Sequence, residues 1–166
     1  FTNLSASNTG INFPYMRYAE ILLIAAEAAN ELVADGALAP EESKEYIRMI
    51  RQRAEIEEGE SNKYGVMDDI KKEDMRKLIQ TERQIELAFE EHRYWDVRRW
   101  KIAKEVLGGP SHGMEITRRV LDDGGESFSY RRIEVLNHVW DDRLYWWPVP
   151  QSEMSKSGAL IQNPGY

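Results

Sequence analysis

Between Lys71 and Glu91 the chain keeps a helical period but sets two carboxylates in the middle of its apolar stripe. No other feature limits the possible folds as strongly. With Met75 at 0° on a helical wheel, Leu78, Ile79, Ile85 and Phe89 fall between about −80° and +40°, while Glu82 and Glu86 fall at about −20° and +20°. An ionised carboxylate buried without a partner costs several kcal/mol, so the fold must bring cations to both. Arg17, Arg48, Arg51 and Arg53 precede the segment, and Arg83, Arg93, Arg98 and Arg99 lie in it or just after it. Carboxylates at i and i+4 can approach the spacing of about 5–5.5 Å used by retaining glycosidases. Catalytic pairs, however, come from separate elements flanking a cleft. Two acids on one stripe with this supply of arginine read as a structural ion-pair network.

The surrounding pattern is mainly α. From Pro14 the apolar density rises through Tyr15-Met16-Arg17-Tyr18-Ala19-Glu20-Ile21-Leu22-Leu23-Ile24, which predicts a helix over 14–34 with proline in its first turn. Only the strip of Arg17, Glu20, Glu27 and Glu31 is polar, so this helix expects neighbours on several sides; Ala25, Ala26, Ala28 and Ala29 let another backbone approach closely. Asp35-Gly36 ends it. Pro40-Glu41-Glu42 opens a second helix over 41–56, whose stripe is Tyr46, Ile47, Ile50 and Ala54. Glu57 to Gly65 is a loop. The third helix covers 71–91 and a fourth covers 94–107, ending at Gly108-Gly109-Pro110. The period then shifts toward two. Met114, Ile116 and Val120, then Phe128, Tyr130, Ile133 and Val135, flank the turn-forming Asp122-Asp123-Gly124-Gly125, giving a β-hairpin over 113–136 that needs something to pack on. Residues 1–13 form a small, polar, extended lead-in, and the aromatic- and proline-rich 140–166 reads as an extended tail wrapped over the helices.

Composition removes several classes of function. A net charge of −7 is a poor start for gripping phosphates. The basic run HRYWDVRRWK over 92–101 is interrupted by Asp96 and preceded by Glu90 and Glu91, and its arginines read as counterions for Glu82 and Glu86, so no nucleic-acid partner is expected. The absence of cysteine excludes disulfides, thiol nucleophiles, thiolate metal sites and a lipid-modified cysteine within this chain. The longest strictly apolar run, Ile21 to Ala26, is far shorter than the roughly 20 residues that span a bilayer. Histidine occurs only at 92, 112 and 138, with no His-Glu-x-x-His; Phe89 stands where a Glu-x-x-His motif would need its acid, so neither metal nor cofactor is expected. There is no Gly-x-Ser-x-Gly and no phosphate loop. Most of the tail aromatics read as packing anchors, with at most one or two rings free to meet a ligand such as a sugar, whose C–H faces pack on flat rings with polar rims. Trp140, Trp146 and Tyr130 are the candidate carbohydrate contacts, with Tyr145 and Trp147 alternating inward and outward beside them.

Three segments together resemble the C-terminal region of the SusD/RagB family, surface glycan-binding lipoproteins of Bacteroidetes-type bacteria. They are Phe13-Pro14-Tyr15-Met16-Arg17-Tyr18-Ala19-Glu20-Ile21-Leu22-Leu23; the run from Glu82-Arg83-Gln84-Ile85-Glu86 through His92-Arg93-Tyr94-Trp95-Asp96-Val97-Arg98-Arg99-Trp100; and Tyr145-Trp146-Trp147-Pro148-Val149-Pro150-Gln151-Ser152-Glu153 with the closing Gln162-Asn163-Pro164-Gly165-Tyr166. The resemblance implies an α/α superhelix of tetratricopeptide-like pairs, 14–34 with 41–56 and 71–91 with 94–107, in one domain over 1–166 that forms the C-terminal part of a longer protein. The start at Phe1, without methionine or export signal, fits a processed or truncated product. The resemblance further implies non-catalytic oligosaccharide binding and delivery to a SusC-like TonB-dependent transporter. It places the protein on the outer-membrane surface, held by a lipid anchor outside this chain, with this segment mostly scaffold. Glu82, Arg83, Glu86, Arg93, Asp96, Arg98 and Arg99 then form a fold signature. A helix-pair protein-interaction module and, more remotely, a glycoside hydrolase using Glu82 and Glu86 are the alternatives.

Overall fold

Helix α1 (Tyr18–Leu32) starts where Arg17, extended at φ −119° and ψ 152°, has its guanidinium drawn away to Glu86 and Glu90. The computed structural model describes residues 15–60 and 63–166, so the lead-in over 1–13 and the expected start at Pro14 lie outside the described residues. The chain divides into two compact units between Arg93 and Tyr94. In the first, α1 packs on both α2 (Glu41–Arg53) and α3 (Lys72–Glu86), as its narrow polar strip requires. Leu22, Leu23 and Ala26 join Ile47, Ile50, Val66, Met75, Ile79 and Leu87 in one buried cluster. Tyr18, Ile21, Ile24 and Leu32 stay exposed, so the apolar surface of α1 is only partly covered among the described residues.

Polar groups pin the three helices in register. Ser43 Oγ donates to the Ala26 carbonyl at 2.8 Å across the α1–α2 crossing. The buried Lys72 sends its ammonium to the Val33 carbonyl at 2.7 Å and to Asp35 at 2.9 Å, so the start of α3 satisfies carbonyls left open at the end of α1. A short bridge, Ala39 N to Ile70 O and Lys72 N to Ala37 O, both 2.9 Å, ties the loops together.

Helix α1 covers Tyr18–Leu32 within the expected 14–34, with Arg17 extended before it and Val33 after it, and two further helices end earlier than the periodicity indicates. Helix α2 stops at Arg53 instead of 56, because Glu55 takes a left-handed φ of 56°; Ala54 is thereby exposed. Helix α3 stops at Glu86 instead of Glu91, and a turn with Phe89 at φ 64° and Glu91 at φ 67° follows. Phe89, beyond the break, and Ile85, on the last turn of α3, are both expected on the buried stripe and are both exposed, whereas Leu87 is buried.

The second unit also departs from the expected layout. The fourth helix is two short ones, α4 (His92–Arg99) and α5 (Ala103–Leu107), separated where Lys101 adopts φ 59°. The helical run ends at Leu107 before Gly108-Gly109-Pro110, as expected, and Gly109 and Pro110 also open β1 (Gly109–Val120), which pairs antiparallel with β2 (Glu126–His138), with a register shift between Ser111 and His112. The turn falls at the expected Asp-Asp-Gly-Gly, with Gly124 at φ 81° and Asp123 Oδ1 accepting from Gly125 N at 2.8 Å. Alternation sets Met114, Ile116, Val120, Phe128 and Tyr130 on one face, all exposed; the expected packing partner of the hairpin is not found among the described residues.

The tail is not one extended strand. A 3₁₀ turn (Asp142–Tyr145) and a short helix α6 (Gln151–Met154) interrupt it, and its last residues fold back on its first. The Gln162 side chain pairs with both backbone groups of Val149, at 2.7 and 2.9 Å, and Asn163 Nδ2 donates to the Trp147 carbonyl at 2.6 Å. Tyr166 OH donates to the Trp146 carbonyl at 3.1 Å. Gly165, at φ 89°, must lack a side chain, since a Cβ there would stand 2.7 Å from Arg143 Cβ.

Candidate functional site

Glu82 and Glu86 are both taken by guanidinium groups. Arg51 donates to Glu82 Oε2 from Nε at 3.1 Å and Nη2 at 2.9 Å, and its Nη1 donates to the Tyr64 carbonyl at 2.7 Å. Arg17 Nη1 donates to Glu86 Oε1 at 2.9 Å, and Arg53 Nη2 reaches both oxygens at 2.8 and 2.7 Å. Arg17 Nη2 also satisfies the Glu86 carbonyl at 2.6 Å, closing the end of α3, while its Nε and Nη2 hold Glu90. The two carboxylate side chains retain only 8 % and 9 % of their exposure. They are thus fixed and largely shielded by their guanidinium partners.

Their counterions differ in part from the sequence-based assignment. Arg17, Arg51 and Arg53 serve as expected, but Arg48 turns to Glu41, Glu45 and Asp68. In residues 94–166, Arg98 stacks on Tyr94 at 3.6 Å, and Arg99 pairs with Asp96 at 2.9 Å and lies 4.5 Å over Trp100. Planar guanidinium groups next to aromatic rings favour that stacking. Arg83 and Asp96 are buried and Arg93 half-buried. His92 Nδ1 faces Glu20 at 3.6 Å.

These pairs set an acid limit on stability. The Arg17 guanidinium holds the Glu90 carboxyl below the usual carboxylate range, as Arg76 does for Glu31 and Arg48 for Glu41. A carboxyl lowered in the folded state contributes stability that is complete above its unfolded value of about 4.3 and is lost as pH falls through the lowered values. Denaturant titration should therefore give a level unfolding free energy from about pH 7 to 5 and a decline below about pH 4. A gain in stability on acidification below pH 4 would contradict the assignment.

The open site lies in residues 94–166. Trp140 and Tyr145 meet edge to face, with centroids 5.1 Å apart, and Tyr94 and Trp95 do so at 4.9 Å. Trp147 Nε1 donates to Tyr94 OH at 3.1 Å. Lys101, projected by the left-handed break after α4, places Nζ 4.3 Å from the Tyr145 centroid and 5.3 Å from that of Trp146. Two hollows share this ledge. One, of about 340 Å³, is lined by Trp95, Arg98, Arg99, Lys101, Tyr145 and Trp146. The other, of about 460 Å³, adds Lys104, Glu105 and Asp142 to Lys101, Tyr145 and Trp146. Trp95 and Trp146 keep 61 % and 56 % of their exposure, so flat ring faces are open to a ligand.

The structure divides the three sequence candidates. Trp146 lines both hollows and Trp140 meets Tyr145 edge to face without lining either, but Tyr130 stands on β2 opposite Ile116, roughly 25 Å along the strand from His138 by the rise per residue. Lys101 and Trp95 were not singled out as ligand contacts. Their signal was the mixture of cations and aromatics in 92–101, which reads equally well as counterions for buried acids.

Among the described residues no helix is long and apolar enough to cross a membrane. Comparison with known proteins matches all of residues 1–166 to the SusD family. SusD-like protein P2 of Formosa agariphila is 32 % identical over the whole chain, which covers 29 % of that relative. SusD-like protein P38 of the same organism is 34 % identical over 68 % of the chain, or 21 % of its own length. A crystal structure of a SusD-like protein from Bacteroides fragilis superposes with a TM-score of 0.69 at 36 % identity, over 92 % of this chain and 25 % of that one. The chain thus spans less than a third of each relative, and its fold matches that of the Bacteroides fragilis protein over most of its length: it belongs to the SusD family.

Proposed function

We propose that this chain is part of a protein that binds oligosaccharides without cleaving them and passes them to a SusC-like TonB-dependent transporter. It works at the outer-membrane surface, held there by a lipid anchor outside these residues, and most of the chain is scaffold. The observation that carries the reading is the contrast between two kinds of side chain. The paired carboxylates that hydrolysis would need are closed by Arg17, Arg51 and Arg53, while Trp95 and Trp146 remain open beside a hollow of about 340 Å³. That is the chemistry of holding a sugar ring, and the wall of this smaller hollow carries no carboxylate to act as a general acid. Titration of the 166-residue chain with a panel of oligosaccharides should quench tryptophan fluorescence saturably and release no reducing ends. Release of reducing ends that disappears in Glu82→Gln would replace this reading with a hydrolase.

A second reading draws on a different surface. Tyr18, Leu22, Met49 and Ile50 line an apolar groove of about 350 Å³ along α1 and α2, with Arg17 and Arg53 at its edge. Such a groove suits a protein-interaction module of helix pairs. Co-purification with a TonB-dependent transporter in the absence of any sugar binding would favour it.

A further inference from the structure

Three cations, Arg98, Arg99 and Lys101, line the smaller hollow beside Trp95, Tyr145 and Trp146, and no carboxylate joins them in its wall. In a chain of net charge −7 this is a local reversal of sign. Two of the three are engaged. Arg99 is paired with Asp96, and Arg98 donates to the Tyr94 and Leu144 carbonyls while stacking on Tyr94. Lys101 is different: its ammonium rests over the Tyr145 and Trp146 rings, and none of its contacts among the described residues is with a carboxylate. Its backbone is held at φ 59°, a conformation that residues bearing side chains seldom adopt. The break that this conformation makes after α4 is what turns the ammonium onto the ring ledge.

The support beneath the ledge is rigid. The carbonyls of Trp146 and Trp147 are held by Tyr166 and Asn163, and Val149 by Gln162, so the backbone that carries these rings is fixed in place. Lys101, Tyr145 and Trp146 also line the larger hollow, whose wall adds Lys104, Glu105 and Asp142, so a neighbouring unit there meets carboxylates as well as a second ammonium and an anionic residue belongs in the smaller one.

We propose that this ledge binds an anionic sugar residue, with its carboxylate or sulfate paired to Lys101 and its C–H face on Trp146. The proposal rests on the carbohydrate-binding reading above and adds the class of sugar. A neutral sugar would leave the ammonium with only hydroxyl partners, whereas an anion replaces the water that the ring faces have displaced from it. Attraction of this kind weakens as salt rises.

Calorimetric titration of the 166-residue chain tests it, with tetragalacturonate, a sulfated tetrasaccharide and neutral maltotetraose as probes, and sodium sulfate alone as the free-anion control. At least one acidic oligosaccharide should bind ten-fold or more tightly than the neutral one, and its affinity should fall several-fold between 50 and 300 mM salt. The uronate and sulfate arms identify which anion is recognised. Lys101→Gly should lose about ten-fold in affinity for the acidic probe with no fall in melting temperature, since glycine accepts the left-handed backbone. Lys101→Arg should retain most of the affinity, and Trp146→Ala should abolish it. Equal binding of acidic and neutral probes, or full affinity in Lys101→Gly, overturns the anionic site and leaves carbohydrate binding standing. Sulfate binding as tightly as the sulfated sugar overturns the role of the ring. Failure of every sugar overturns the site together with sugar contact by this chain.

Discussion

Replacing Glu82 with alanine should lower the unfolding free energy by about 3 kcal/mol, because it strands a guanidinium that cannot leave. Arg51 is tied to the Tyr64 carbonyl at 2.7 Å and keeps only 17 % of its side-chain exposure, so it is not free to swing into water when its carboxylate is removed. Glu86 offers the useful contrast. One of its partners, Arg53, is 60 % exposed and loses little on release, and Arg17 keeps Glu90 as an alternative. Glu86→Ala should therefore cost less, about 1–2 kcal/mol, since solvent screens an exposed partner. The order is the sharp part of the expectation. Urea denaturation of both variants measures it, and a double-mutant cycle over Glu82 and Arg51 should return a coupling of about 2 kcal/mol or more. A Glu82 variant as stable as the parent chain would show that Arg51 finds water or another acid, contrary to the geometry.

That such a network had to exist was legible from spacing alone, since Glu82 and Glu86 fall inside an apolar stripe. Choosing its partners was partly legible. Arg17, Arg51 and Arg53 were among the candidates, but so were Arg98 and Arg99, and sequence distance favours the nearer residues while the fold favours those on the packed hairpin. The helix breaks left no trace in composition. Glu55, Phe89, Glu91 and Lys101 all take positive φ without being glycine or asparagine, and the 3.6-residue pattern continues straight through Ile85 and Phe89, which point away from the core. Such breaks are set by tertiary demands: at the end of α3, Arg17 occupies the Glu86 carbonyl that a continuing helix would have used. The site suffered accordingly. Trp146 could be picked out as an exposed ring in the tail, but the ledge it makes with Lys101 depends on a left-handed residue that periodicity cannot see.

The alanines of α1 lead to the other large effect. Ala26 is fully buried where α1 crosses α2, and its carbonyl accepts the Ser43 hydroxyl at 2.8 Å, so the helices touch backbone to side chain with no room between them. Ala26→Leu must force the crossing apart or push its side chain into Leu23 and Ile47, both of which are fully buried. Overpacking of this kind costs about 1–3 kcal/mol, and loss of the Ser43 bond adds about 1 kcal/mol, for an expected fall of about 3 kcal/mol. Ala28, on the exposed side of the same helix, provides the control: Ala28→Leu should change stability by about 0.5 kcal/mol or less. The comparison separates packing from helix propensity, which is nearly the same for both substitutions. Chemical denaturation of the two variants decides it. If Ala26→Leu is tolerated as well as Ala28→Leu, the close α1–α2 crossing is not what holds this unit together, and the Ser43 bond must be incidental to it.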